Sequence, residues 1–193
     1  MKKLVLLLAL TLVLAVSCKK KEEAAAPGTS GYGAQQGRGA TAAAPAAATT
    51  TGTEVGTMLP EYSAMWLDGS KFELAGHRQN VVLLNVWATW CGPCRYEIPE
   101  LQALHDRYKP RKFEVIGVSV DESGPESVKQ FVDEQKMTYP IALDAEGKLA
   151  NVLQTSVLPT TVLLDRSGKI VWKRLGAIMP NDQELVKAIE AAL

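Results

Sequence analysis

The sequence predicts an α/β domain: a mixed central sheet flanked by helices, with an added β-hairpin at its N-terminal end. Three observations carry this. Apolar runs of strand length alternate with helically spaced segments between residues 81 and 137, a pattern that calls for parallel strands with helices on the sheet faces. Turn-linked strand pairs bracket that core, one around Asp68-Gly69 and one around Asp165-Arg166-Ser167-Gly168, and such late hairpins add antiparallel strands. Large apolar residues become regular only from Leu59 onward, so the folded domain is expected over residues 59–193.

Each element has a local reason. Segments 62–66 and 71–74 flank Asp68-Gly69, a strong hairpin signal. Residues 81–87 form a nearly continuous apolar run suited to a buried strand. Residues 93–108 place Ile98, Leu101 and Leu104 at helical spacing, with Pro93 acceptable in a first turn. A second buried strand is expected at 113–120. A helix at 126–137 is opened by Ser123-Gly124-Pro125, and a short helix follows at 149–154. Strands at 160–164 and 169–175 then precede a closing helix at 182–192, capped near Asn181 or Asp182. There is no internal repeat.

Charge argues against one class of partner. The 193 residues carry 21 basic and 21 acidic side chains, with 15 basic against 18 acidic from Leu59 onward. A mildly acidic domain offers no basic footprint for nucleic acid.

The N-terminus reads as an export signal. Met1-Lys2-Lys3 is a basic start, Leu4 to Val16 is apolar, and Ser17-Cys18 closes the run. That run is short for a membrane span. Leu14-Ala15-Val16-Ser17-Cys18 resembles a bacterial lipobox, with Ala15 where Leu is commonest. The resemblance implies removal of residues 1–17 and lipidation of Cys18, and acyl chains on Cys18 would hold the chain at a membrane. Residues 18–58 are expected to form the lipidated cysteine and a flexible Ala/Gly/Thr/Pro tether, with an r.m.s. reach of roughly 35 Å.

Trp90-Cys91-Gly92-Pro93-Cys94 stands where a buried strand hands over to a helix. A thiol there faces unpaired amide hydrogens and the positive end of the helix dipole, which favour the thiolate. Cys91 is therefore the expected attacking nucleophile, exposed to solvent. Cys94, one turn in and buried, is the expected resolving thiol and disulfide partner. Zinc would need a second ligand pair, and His77 and His105 lie at unsuitable spacings. Covalent haem would need His where Arg95 stands. Neither metal nor cofactor is expected.

The stretch Asn85 to Cys94 resembles thioredoxin. The continuation Arg95-Tyr96-Glu97-Ile98-Pro99-Glu100-Leu101, together with Leu158-Pro159-Thr160-Thr161, is similar to the membrane-anchored thioredoxin-like proteins of the TlpA/ResA family. The resemblance covers residues 59–193 and implies a thioredoxin fold and thiol–disulfide exchange. It implies a cis Pro159 packed on the disulfide, with Leu158 and Thr160 beside a docked client peptide; an ordinary trans proline is the alternative. Asn85 departs from the buried Asp of thioredoxin and cannot titrate. Glu97 stands where the ResA group has a Glu thought to move the proton of the buried thiol. It is expected beside Cys94 with a raised pKa, the alternative being a solvated carboxylate favoured by the helix dipole. Trp90 is expected to shield the sulfurs and meet partners, Trp87 to be core, His105 a surface residue, and Asp121-Glu122 a solvated turn.

The implied activity is extracytoplasmic reduction of protein disulfides, with apocytochrome c among the possible clients and a membrane thiol relay as donor, in a lipid-anchored monomer. Oxidation or isomerisation of secreted proteins stands beside it. A peroxide-consuming enzyme would need a P-x-x-x-T-x-x-C setting, which the sequence lacks, and a non-enzymatic binding lipoprotein would not need the cysteines.

Overall fold

In the computed structural model, the structure describes residues 50–193. The signal segment, Cys18 and most of the expected tether lie outside the described residues. The chain runs β1 (Ser63–Trp66), β2 (Lys71–Glu73), a 3-10 turn (Leu74–His77), β3 (Val81–Trp87), α1 (Gly92–Tyr108) and β4 (Phe113–Ser119). It continues through α2 (Pro125–Gln135), β5 (Ile141–Leu143), α3 (Lys148–Val152), β6 (Thr160–Leu164), β7 (Ile170–Leu175) and α4 (Gln183–Ala192).

All seven strands join one sheet in the order β2-β1-β5-β4-β3-β6-β7. Strands β3, β4 and β5 are parallel neighbours, while the outer strands pair antiparallel. Successive side chains in a strand alternate between faces, and the core divides accordingly. Val81, Leu83, Val115 and Leu163 pack with Ile98, Leu101, Val128, Leu185 and Ile189 of the helices. Val82, Leu84, Val86, Ile116 and Val162 pack on the other face with Leu149, Leu153, Tyr62 and Phe72.

Strand β5 was not expected. Three residues are too few to show a period, yet β5 is what joins the N-terminal hairpin to the sheet, through Met65↔Leu143 on one side and Val118↔Ala142 on the other. The hairpin itself follows its turn chemistry. Ser70 donates from N and Oγ to Asp68 Oδ1, and Gly69 supplies the positive φ that the turn requires.

The start of the domain also moves. Residues 50–58, assigned from composition to the tether, bond to the start of β7: Ile170 N to Thr57 O at 2.9 Å and Gly56 N to Ile170 O at 2.8 Å, beside Leu59 N to Gly168 O at 3.1 Å. Lys173 Nζ adds a bond to Thr53 O at 3.0 Å. Backbone pairing needs no apolar side chain, so hydrophobic patterning does not report it. Among the described residues, no helix is long and apolar enough to cross a membrane.

Candidate active site

The site forms at the C-terminal ends of β3 and β4, where α1 begins. Cys91 N donates to Ala88 O at 3.2 Å, closing a tight turn at the strand end. Cys91 is the N-cap of α1, and its Sγ accepts the Cys94 N–H at 3.2 Å. Its sulfur thus faces orphan amides and the positive helix end. Cys91 and Cys94 are joined as a disulfide. Gly92 and Pro93 between them are exposed.

Cys91 is less open than expected: it is 6 % exposed, against 1 % for Cys94. The bond to Cys94 and the capping contact draw its side chain in over the helix end. Trp90 is 69 % exposed, whereas Trp87 is core as expected.

Glu97 follows Cys94 by three residues, so the two side chains share one face of α1. Glu97 is only 1 % exposed. Its Oε1 accepts from Asn85 Nδ2 at 2.7 Å, and its Oε2 accepts from the Ile178 backbone N–H at 2.7 Å. Asn85 Nδ2 also donates to Thr161 Oγ1 at 2.9 Å. Burial pushes the Glu97 carboxyl up from 4.5 to about 7, even though both donors favour the charged form. The solvated alternative for Glu97 does not describe this side chain.

The Leu158–Pro159 bond is cis, and Pro159 is buried. Leu158 is half-buried and lines a groove of about 320 Å³ with Trp90, Val120, Glu122, Gly147 and Ser156. Thr160, expected beside a client, is turned inward instead: its side chain is buried and its Oγ1 donates to Val157 O at 2.7 Å.

Two readings of peripheral residues change. Asp121 is buried, not part of a solvated turn, and it accepts bonds from Thr89 and Ser119. Only Glu122 of the pair is exposed. His105 is partly buried with its ring 6.2 Å from that of Tyr139, and desolvation holds its pKa below the usual range. Ile178 escaped sequence reasoning because it acts through a backbone amide 81 residues from Glu97, where side-chain identity carries no signal.

A buried parallel strand feeding a redox disulfide into a helix N-terminus, opposite a cis proline, defines a thioredoxin-fold thiol–disulfide oxidoreductase. The sequence model of the AhpC/TSA family matches residues 55–173. The thiol-disulfide oxidoreductase ResA of Bacillus cereus is 35% identical over 123 residues, covering 64% of this chain and 70% of that protein. ResA of Geobacillus kaustophilus is 33% identical over 134 residues, covering 69% of this chain and 76% of that protein. Among solved structures, a DsbF homologue from Corynebacterium diphtheriae superposes with a TM-score of 0.64 at 30% identity, over 77% of this chain and 96% of that one. The thioredoxin domain of a Bacteroides vulgatus thiol-disulfide oxidoreductase gives 0.63 at 26% identity, over 72% and 96%. The chain belongs to the AhpC/TSA family and is a thioredoxin-like oxidoreductase of the TlpA/ResA type.

Proposed function

We propose that the chain is an extracytoplasmic protein-disulfide reductase, held at a bacterial membrane by lipid on Cys18, in which Cys91 attacks, Cys94 resolves and Glu97 moves the proton. The observation that carries this reading is Glu97 itself: a buried carboxyl three residues from the resolving thiol, with a pKa near the working pH, suited to give and take a proton. The Cys91 thiolate attacks one sulfur of a client disulfide, forming a mixed disulfide and releasing a client thiolate, which takes up a proton. Cys94 passes its proton to Glu97 and attacks the Cys91 sulfur. The second client thiolate leaves and is protonated, and two electrons have moved from the dithiol to the client. A membrane thiol relay would return them. Asn85 holds Glu97 in place and, being unable to titrate, does not compete for its proton.

The groove beside Trp90 and Leu158 supports docking of an extended client segment, with apocytochrome c a plausible client by resemblance to ResA. The similarity to proteins named for isomerase activity, such as a secreted thiol-disulfide isomerase from Corynebacterium glutamicum at 25% identity and a TM-score of 0.64, supports the opposite direction as the second reading. Trapping decides between them. Cys94→Ser should accumulate clients disulfide-linked to Cys91. Enrichment of cytochrome c precursors together with a strongly reducing potential supports reduction; a strongly oxidising potential overturns it.

A further inference from the structure

Asp121 is a buried carboxylate at the end of the sheet that the exchange chemistry leaves without a role. It lies two residues past the end of β4 and is only 5 % exposed. Its Oδ1 accepts from Thr89 Oγ1 at 2.6 Å, and its Oδ2 accepts from Thr89 N at 3.0 Å and from Ser119 Oγ at 2.7 Å. Every one of these partners donates, so the group is held as an acceptor-only carboxylate. None of them is a cation, and among the described residues no ion pair involves Asp121. A buried anion compensated only by neutral donors projects its charge into its surroundings, because little water is near to screen it.

What lies beside it is the redox turn. Thr89 sits inside the turn that Cys91 N closes on Ala88 O, two residues before the attacking sulfur. A nearby negative charge disfavours a thiolate. The N-cap position and helix dipole pull the other way.

We infer that Asp121 is a positioning residue that sets the poise of the redox pair: it ties the Thr89–Trp90 segment to β4 and, through its fixed charge, holds back ionisation of the Cys91 thiol. The inference rests on Cys91 being the nucleophile. Its consequence is directional. A less acidic attacking thiol destabilises the reduced thiolate form and biases the pair toward giving up electrons. The other charged or titratable groups beside the pair and Asp121 are Arg95, Tyr96 and Glu97 of α1, Tyr139 before β5, Glu122 after Asp121, Glu146 before α3, and buried Asp144 after β5, whose carboxylate accepts from the Lys148 and Leu149 amides. The Arg95 guanidinium lies over the Phe131 ring at 5.5 Å, and Glu146 is paired with Lys148. The segments 155–159 and 176–181 contribute none.

The test is the pH dependence of Cys91 alkylation in the reduced domain, read by mass. Asp121→Asn removes the charge and keeps one acceptor oxygen, with its amide able to donate to a Thr89 or Ser119 hydroxyl in place of the second. Its alkylation midpoint is expected to fall by about one unit, and its equilibrium with glutathione to shift several-fold toward the dithiol. Thr89→Val removes one bond and leaves the charge, so its midpoint should stay with the parent protein. An unmoved midpoint in Asp121→Asn overturns the inference, as does an equal fall in Thr89→Val, which would assign the effect to loop geometry. If Asp121→Asn does not fold, Asp121→Ser carries the same readout. A parent Cys91 that resists alkylation at every pH sinks the nucleophile reading instead, so the two failures are distinguishable.

Discussion

Asn85 Nδ2 donates to Glu97 Oε1 over 2.7 Å and binds the middle of a central strand to the first turns of the helix that carries the redox pair. Both groups are buried, and the bond fixes which way the carboxylate faces while, among the described residues, no cation pairs with it. Four expectations follow from this arrangement and its surroundings.

The first concerns pH. Glu97 titrates near 4.5 when unfolded and at about 7 when folded. Between those values the folded chain keeps a proton that the unfolded chain has released, so stability falls as pH rises through the window and levels off above 7. The loss should total about 3 kcal/mol. Urea unfolding of the oxidised domain at a series of pH values measures it. Glu97→Gln should flatten the slope; an undiminished slope would mean that another group produces it.

Replacing Asn85 with Asp puts two carboxyl groups in hydrogen-bond contact inside the core. They cannot both ionise, so one pKa rises strongly and the pair titrates as a unit. Asn85→Asp should lose about 2–4 kcal/mol at pH 8 and regain most of it at pH 5. Equal stability at both pH values would contradict the burial described here.

Gly117 is a packing constraint rather than a flexible joint. A Cβ built there would lie 2.8 Å from Ile141 Cδ1 and 2.9 Å from Trp87 Nε1, closer than atoms approach. Gly117→Ala should cost about 1–3 kcal/mol by overpacking, seen as a lowered Tm. An unchanged Tm would show that β5 yields without penalty.

Trp90 is set for contact, not for the core. Because it stands largely in solvent, Trp90→Ala should leave thermal stability within about 0.5 kcal/mol. The KM for a disulfide-containing peptide should rise about tenfold, as expected for an exposed aromatic anchor. A fall in kcat with unchanged KM would move Trp90 from docking to chemistry.

Much of the fold was legible because its signals are local. Val81–Trp87 is apolar at every position but Asn85 and became the central strand with matching bounds. Asp182 caps α4 by accepting from the Glu184 and Leu185 amides, as its residue type suggests. Where reading failed, the determinant was not side-chain pattern. Strand β5 is too short for periodicity, residues 50–58 are ordered by backbone bonds, and Asp121 is turned inward by Thr89, 32 residues away in sequence.

The sequence by itself determined where the Cys91–Cys94 pair stands. Two cysteines flanking Gly92-Pro93 at a strand–helix junction place a sulfur at a helix N-terminus, and capping and dipole act over a few neighbouring residues that any reader of the chain can see. Tertiary structure alone decided the proton affinity of Glu97 and the burial of Asp121. Desolvation depends on everything packed around a group, here Asn85, Thr161 and Ile178 in one case and Thr89 and Ser119 in the other. Residues brought together from separate stretches of chain leave no local pattern to announce it.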